Sequence, residues 1–199
     1  MKVIFLDNDG VICLSNNWGS RFKKQKAFFT EDNPRKGFAN NGPVEVRFDN
    51  FDKKAVEVLN SILEETGAEI VVSSDWRFHA NLDELGEYYT AQGIIKAPIA
   101  VTGIFKDLFP SEWLGLRFKA ELELERSMEI NHWIESHPEV THWVAIDDLN
   151  MSTKFLGDHF SAKDGSDAVP GLTNFVHTPR ENEGIKQSGI KDKIIKHLT

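Results

Sequence analysis

Three apolar runs in this chain each break off at a cluster of polar side chains. Residues 3–6 stop at Asp7-Asn8-Asp9, residues 68–72 at Ser73-Ser74-Asp75, and residues 142–146 at Asp147-Asp148. Runs this short and apolar throughout, alternating with segments of helical spacing, predict the strands of a parallel sheet covered on both faces. Residues 51–66 show the helical spacing, with Phe51, Ala55, Leu59, Ile62 and Leu63 on one side. Asp49 or Asn50 is the expected starting cap of that helix, and Gly67 its end. Further helices are expected around Leu82, Leu85, Tyr88 and Tyr89, over 121–136 with Leu122, Ile130, Trp133 and Ile134 inward, and around Ile190, Ile194 and Leu198. A fourth strand is expected at 174–177, and residues 94–119 stay ambiguous. Right-handed crossovers then give a doubly wound, Rossmann-like α/β fold, expected as one domain over 1–199. Such sheets bind ligands beyond the carboxyl ends of their strands. All three polar clusters are therefore expected at one edge.

Charge and cysteine content narrow the function classes. The 199-residue chain has 23 basic and 31 acidic side chains, a formal charge of −8. That argues against a protein that coats nucleic acid, which neutralises phosphates with Lys and Arg, but not against an enzyme acting on one phosphorylated end. A lone cysteine, Cys13, rules out a disulfide framework and favours a reducing compartment. The longest stretch free of Asp, Glu, Lys and Arg, residues 168–179, has 12 residues, too few to span a bilayer. Only four apolar residues follow Lys2 before Asp7, which is no signal peptide. A cytoplasmic protein with no membrane association and no stable protein partner is the expectation. The histidines lack metal-ligand spacing, and no glycine run matches a P-loop or dinucleotide fingerprint.

Asp7 and Asp9 could be ordinary turn residues after a strand. Gly10 permits a sharp turn, however, and the apolar Val11-Ile12 follows at once. With Asp147 and Asp148 brought to the same edge, the carboxylates would repel one another or be forced to take up protons. A hard divalent cation removes the conflict, and Mg²⁺ binds through one or two carboxylates while keeping several waters. Asp7, Asp9, Asp147 and Asp148 are the candidate metal residues.

The strings FLDNDGVI, IVVSSDWR and WVAIDDLN, with Arg126 opening the helix before the last of them, resemble the haloacid dehalogenase (HAD) superfamily. The SSDWR string, and Arg126, Glu129, Ile130 and Trp133 in an R-x-x-E-I-x-x-W pattern, are similar to the small phosphatase domains associated with RNA-repair proteins. The phosphatase half of polynucleotide kinase-phosphatases is a more distant likeness. The resemblance covers roughly residues 1–14, 51–78, 126–150 and 174–198. Asn8 stands where that subgroup usually has an apolar residue, and Asp75 where it often has Ser.

The resemblance implies an HAD-like fold without a large cap domain and a phosphatase chemistry. Asp7 would attack phosphorus and form an aspartyl-phosphate. Asp9 would protonate the leaving oxygen and then deprotonate the attacking water. Mg²⁺ would be held by the Asp7 carboxylate, the Asp9 carbonyl and the Asp147-Asp148 pair, Asp148 as direct ligand. Ser73 would donate to the phosphoryl oxygens, and Arg126 would neutralise developing charge, with Lys119 the alternative. Without Asp9 the aspartyl-phosphate would tend to persist, so its presence favours turnover.

Asn8, Gly10, Ser74 and Arg77 are further candidates for substrate contact, Arg77 as a clamp on a second substrate group. Trp76 reads as a packing residue and Cys13 as inert. Residues 15–48 look irregular and interleave Arg21, Lys23, Lys24, Lys26, Arg35 and Lys36 with Phe22, Phe28, Phe29 and Phe38. They form either a small flap packed on the body or a basic lid facing substrate. An insertion over 15–50 is too short to enclose the site. The substrate expected is a phosphorylated nucleic-acid end. Free nucleotides or other small phosphate esters are one alternative, and a non-catalytic phosphate-binding module is the other.

Overall fold

The computed structural model describes residues 1–34, 42–108, 121–160 and 171–199. The expectations for Arg35, Lys36, Phe38 and Lys119 lie outside them. The described residues contain a parallel five-stranded sheet, in the order β3-β2-β1-β4-β5. The strands are β1 (Lys2–Leu6), β2 (Glu69–Val72), β3 (Ala100–Val101), β4 (His142–Asp147) and β5 (Phe175–His177). The chain builds outward from β1 to β3, then returns to the other side of β1 with β4 and β5. The crevice between β1 and β4 is therefore the switch point of the sheet.

Alternation along β1 sends side chains to both layers. Ile4 and Leu6 join one core with α3 (Lys53–Thr66), α4 (Leu82–Ala91) and the last helix (Ile190–Leu198). Val3 and Phe5 join a second core with Ile130 and Trp133 of α6 (Glu121–Glu135). The expected α/β, doubly wound arrangement is what the chain adopts. Among the described residues no helix is long and apolar enough to cross a membrane.

Several local expectations are corrected. The cap of α3 is Asp52, whose side chain accepts from Ala55 N at 3.0 Å. Asp49 instead caps another helix: its Oδ1 accepts from Arg21 N at 2.7 Å and Ser20 Oγ at 3.2 Å, at the start of α1 (Ser20–Phe28). Residues 15–48 are thus not irregular throughout, since they hold α1 and the short α2 (Val44–Arg47). No residue of α1 is buried, so its sequence carries no amphipathic signal. Leu122 does not face the core; it is 61% exposed. It lies one turn before Arg126 in α6 and lines an open depression with Phe78 and Phe105. The ambiguous stretch contributes β3, too short to show a period, and the four-residue helix α5 (Phe105–Leu108).

Candidate active site

Backbone hydrogen bonds carry the sheet one residue past its strands. Asp7 N donates to Ile146 O at 3.1 Å, Ser73 N to Leu6 O at 2.9 Å, Thr102 N to Val72 O at 3.0 Å, and Thr178 N to Asp147 O at 2.9 Å. Asp7, Ser73, Thr102 and Thr178 therefore stand in line at the carboxyl edge beside Asp147. Ser73 Oγ, Thr102 Oγ1 and Thr178 Oγ1 are buried without a hydrogen-bond partner among the described residues. Buried hydroxyls in proteins are nearly always paired, and three orphans along one edge suit a site that receives an oxygen-rich ligand. Thr102 was not foreseen because the strand it follows has only two residues; Thr178, directly after the expected fourth strand, was not singled out because a lone Thr there carries no acidic or Ser-Ser signal.

The Asp7 turn is closed by the Asn8 carbonyl, which accepts from the amides of Val11, Ile12 and Cys13. Gly10 has φ 72°, and a Cβ there would lie 2.5 Å from Asp148 Oδ2. Glycine is required both by the turn and by the approach of β4's acidic end. The Asn8 side chain is buried and accepts from Tyr89 Oη at 2.6 Å. Ser74 is buried too, and its carbonyl accepts from Arg77 N at 3.1 Å.

Oxygens of Asp7, Asp147 and Asp148 lie within 4.8 Å of one another. Arg126 enters this cluster from α6. Its Nη1 donates to Asp7 Oδ1 at 3.0 Å and to Asp147 Oδ2 at 2.9 Å, and its Nη2 to Asp75 Oδ1 at 2.8 Å. One guanidinium faces four carboxylates. Burial, then the neighbouring Asp147, holds the Asp7 carboxyl well above the usual carboxylate range. Burial likewise raises Asp147, and burial with the Asp147 charge pushes Asp148 to about 7. A second cation would balance this charge. Hard oxygen donors clustered this tightly fit Mg²⁺ or a similar divalent ion.

Asp9 stands apart from the three carboxylates. Its Oδ2 accepts from Trp76 Nε1 at 2.8 Å. Burial raises Asp9 above the ordinary value. Cys13 is a free, buried thiol. The signal for Trp76 lay in SSDWR, where it reads as packing; it does pack, stacked against Phe48 and Phe51, and it also donates.

Arg77 is buried and pairs with Glu129 Oε2 at 2.6 Å, while Glu129 Oε1 accepts from Phe105 N at 2.7 Å. Arg77 Nε and Nη1 have no hydrogen-bond partner among the described residues. Beside Arg126, a depression of about 360 Å³ is lined by Asp75, Arg77, Phe78 and Leu122, among others.

Raised carboxyl values set the sign of a pH effect. A group whose folded pKa is raised binds its proton more tightly in the fold, so its stabilising contribution is complete below the unfolded value and lost as pH rises through the folded one. For Asp148 that window runs from 3.8 to about 7, and Asp7 and Asp147 act in the same direction. Asp148 is partly exposed, so its share is screened. The metal-free protein is expected to melt roughly 3–6 °C lower at pH 8 than at pH 5. Millimolar Mg²⁺ should restore the difference at pH 8 and do little at pH 5, as read by calorimetry in EDTA and in Mg²⁺. A Tm without pH dependence between those values would remove the charge-deficit argument.

A parallel α/β sheet whose carboxyl edge gathers three carboxylates, an arginine and a serine defines an HAD-type phosphoryl-transfer scaffold. The comparison with known families is more specific. Residues 3–173 match the family described as the HAD domain in Swiss Army Knife RNA repair proteins, and the chain belongs to that family. No curated protein and no solved structure matches the chain. The family implies a phosphatase-type hydrolase, and HAD proteins generally use a divalent metal, for which this chain's acidic cluster is suited.

Proposed function

We propose that this protein is a Mg²⁺-dependent phosphomonoesterase that removes a terminal phosphate from nucleic acid through an aspartyl-phosphate on Asp7. The observation that carries the reading is the Asp7, Asp147 and Asp148 cluster bridged by Arg126, with Asp9 held separately on Trp76. A carboxylate oxygen of Asp7 attacks phosphorus, the bond from phosphorus to the leaving oxygen breaks, and that oxygen takes the Asp9 proton. Water then attacks the phosphorus, Asp9 accepts its proton, and inorganic phosphate leaves with Asp7 regenerated. Arg126 and the Ser73 hydroxyl hold the phosphoryl oxygens through both steps. Asp7, Asp147, Asp148 and the Asp9 carbonyl would hold Mg²⁺, which supplies charge neutralisation at the transferring phosphoryl group.

The first test is hydrolysis of p-nitrophenyl phosphate. Turnover should require Mg²⁺, vanish in excess EDTA and return on adding Mg²⁺ back. Undiminished turnover in EDTA would overturn the reading, and absence of turnover in Mg²⁺ would favour a phosphate-binding module.

Support for a nucleic-acid end comes from the RNA-repair family and from the exposed face of α1, which carries Arg21, Phe22, Lys23 and Lys26 with Trp18 nearby. Aromatic and basic side chains so interleaved can stack bases and meet phosphates. Lys24 does not belong to that face: it donates to Asn50 Oδ1 at 3.0 Å and Tyr88 Oη at 3.1 Å, fastening α1 to the body. The variant Lys23→Glu/Lys26→Glu should raise KM for a phosphorylated oligonucleotide about five- to tenfold at low salt, and for p-nitrophenyl phosphate no more than about twofold. Equal effects, or faster turnover of mononucleotides than of oligonucleotides, would favour small phosphate esters instead.

A further inference from the structure

We infer that Trp76 is a positioning residue that selects which oxygen of Asp9 delivers the proton, an inference that rests on the phosphatase reading above. An indole N–H can donate a hydrogen bond but never accept one. Trp76 Nε1 donates to Asp9 Oδ2 at 2.8 Å; a carbonyl oxygen accepts more strongly than a carboxylic hydroxyl, so this bond favours the proton on Oδ1. A free aspartic acid side chain would carry its proton on either oxygen and rotate between them. Bonded to Trp76, Asp9 is biased to one protonated oxygen and one orientation.

The indole itself is rigidly held. Its ring lies 4.3 Å from Phe48 with 5° between planes and 5.4 Å from Phe51 with 18° between planes, and Tyr88 meets its edge at 5.8 Å. Tyr88 Oη donates to the Asp49 carbonyl at 2.8 Å. Phe48 ends the segment carrying α1 and α2, Phe51 precedes α3, and Trp76 follows β2. The insertion therefore serves catalysis from within, by stacking the indole that orients Asp9, as well as offering an outer face on α1.

The test exploits leaving groups. A p-nitrophenolate departs without needing a proton, whereas an alkoxide does not, so loss of proton delivery separates the two. Trp76→Phe keeps an aromatic ring in the stack and removes the donor. Its kcat/KM should fall about 30- to 100-fold for glycerol 2-phosphate and only about threefold for p-nitrophenyl phosphate. Should that variant fold poorly, benzothienylalanine introduced at Trp76 preserves the indole's shape without the N–H and should give the same split. Equal loss on both substrates would overturn the inference while leaving the phosphatase reading intact. Failure of the wild-type protein to turn over either substrate would overturn both.

Discussion

Asp7→Asn is expected to abolish hydrolysis of p-nitrophenyl phosphate, by at least about 10⁴-fold in kcat, while leaving the protein as stable as before or more so in the absence of metal. The two outcomes have one origin. An amide oxygen is far too poor a nucleophile to form the acyl phosphate, so the substitution removes the attacking group. The same substitution removes one of three buried, mutually repelling carboxylates, whose ionisation burial already disfavours. The amide oxygen can still accept from Arg126 Nη1, as Asp7 Oδ1 does at 3.0 Å. At pH 8 without Mg²⁺, Tm should therefore be unchanged or higher. Activity within a few-fold of wild type would eliminate Asp7 as nucleophile, and a large fall in Tm would mean that the variant had lost structure rather than chemistry.

Arg126→Met should produce the reverse pattern, a loss of stability as well as of activity. Arg126 is 8% exposed and touches Asp7, Asp147 and Asp75. Removing one partner from a buried ion-pair network leaves uncompensated charge, at about 3–5 kcal/mol, which corresponds to a Tm lower by roughly 10 °C for a chain of this size. Lowering the pH to 5 should recover part of that loss, because the orphaned carboxyls then take up protons; millimolar Mg²⁺ should recover part of it at pH 8. The phosphoryl group also loses its fixed cation, so kcat should fall by about 10²–10³-fold even where the protein is folded. A melting curve for Arg126→Met matching wild type at pH 8 in EDTA would show that the guanidinium does not compensate the cluster.

Much of the site was legible before any coordinates. An apolar run that ends at Asp7-Asn8-Asp9 carries both a strand and the position of its last side chain, because strand pleat and direction are local properties. Two more such runs in one parallel sheet have to end at the same edge. That is how Asp7, Ser73, Asp147 and Asp148 could be placed together from sequence. The likeness of the strings to repair-associated phosphatase domains agrees with the family match over 3–173. Where local pattern was weak, the reading stopped. The strand β3 spans two residues, and α1 has no buried face, so neither announces itself.

The sequence by itself determined that Asp7, Ser73, Asp147 and Asp148 meet at the carboxyl edge, and the chemistry they are capable of. Only the tertiary structure decided who holds whom. Trp76 reaches Asp9 across 67 residues, Arg77 reaches Glu129 across 52, Arg126 reaches Asp75 across 51, and the Arg21 amide reaches Asp49 across 28. Such pairs depend on where α6 crosses the sheet and how the insertion folds back over Phe48 and Phe51. Periodicity is set by neighbours a few residues away, whereas these contacts are set by packing of elements distant along the chain. Hence a tryptophan that the sequence marks as packing becomes, in three dimensions, the donor that orients Asp9.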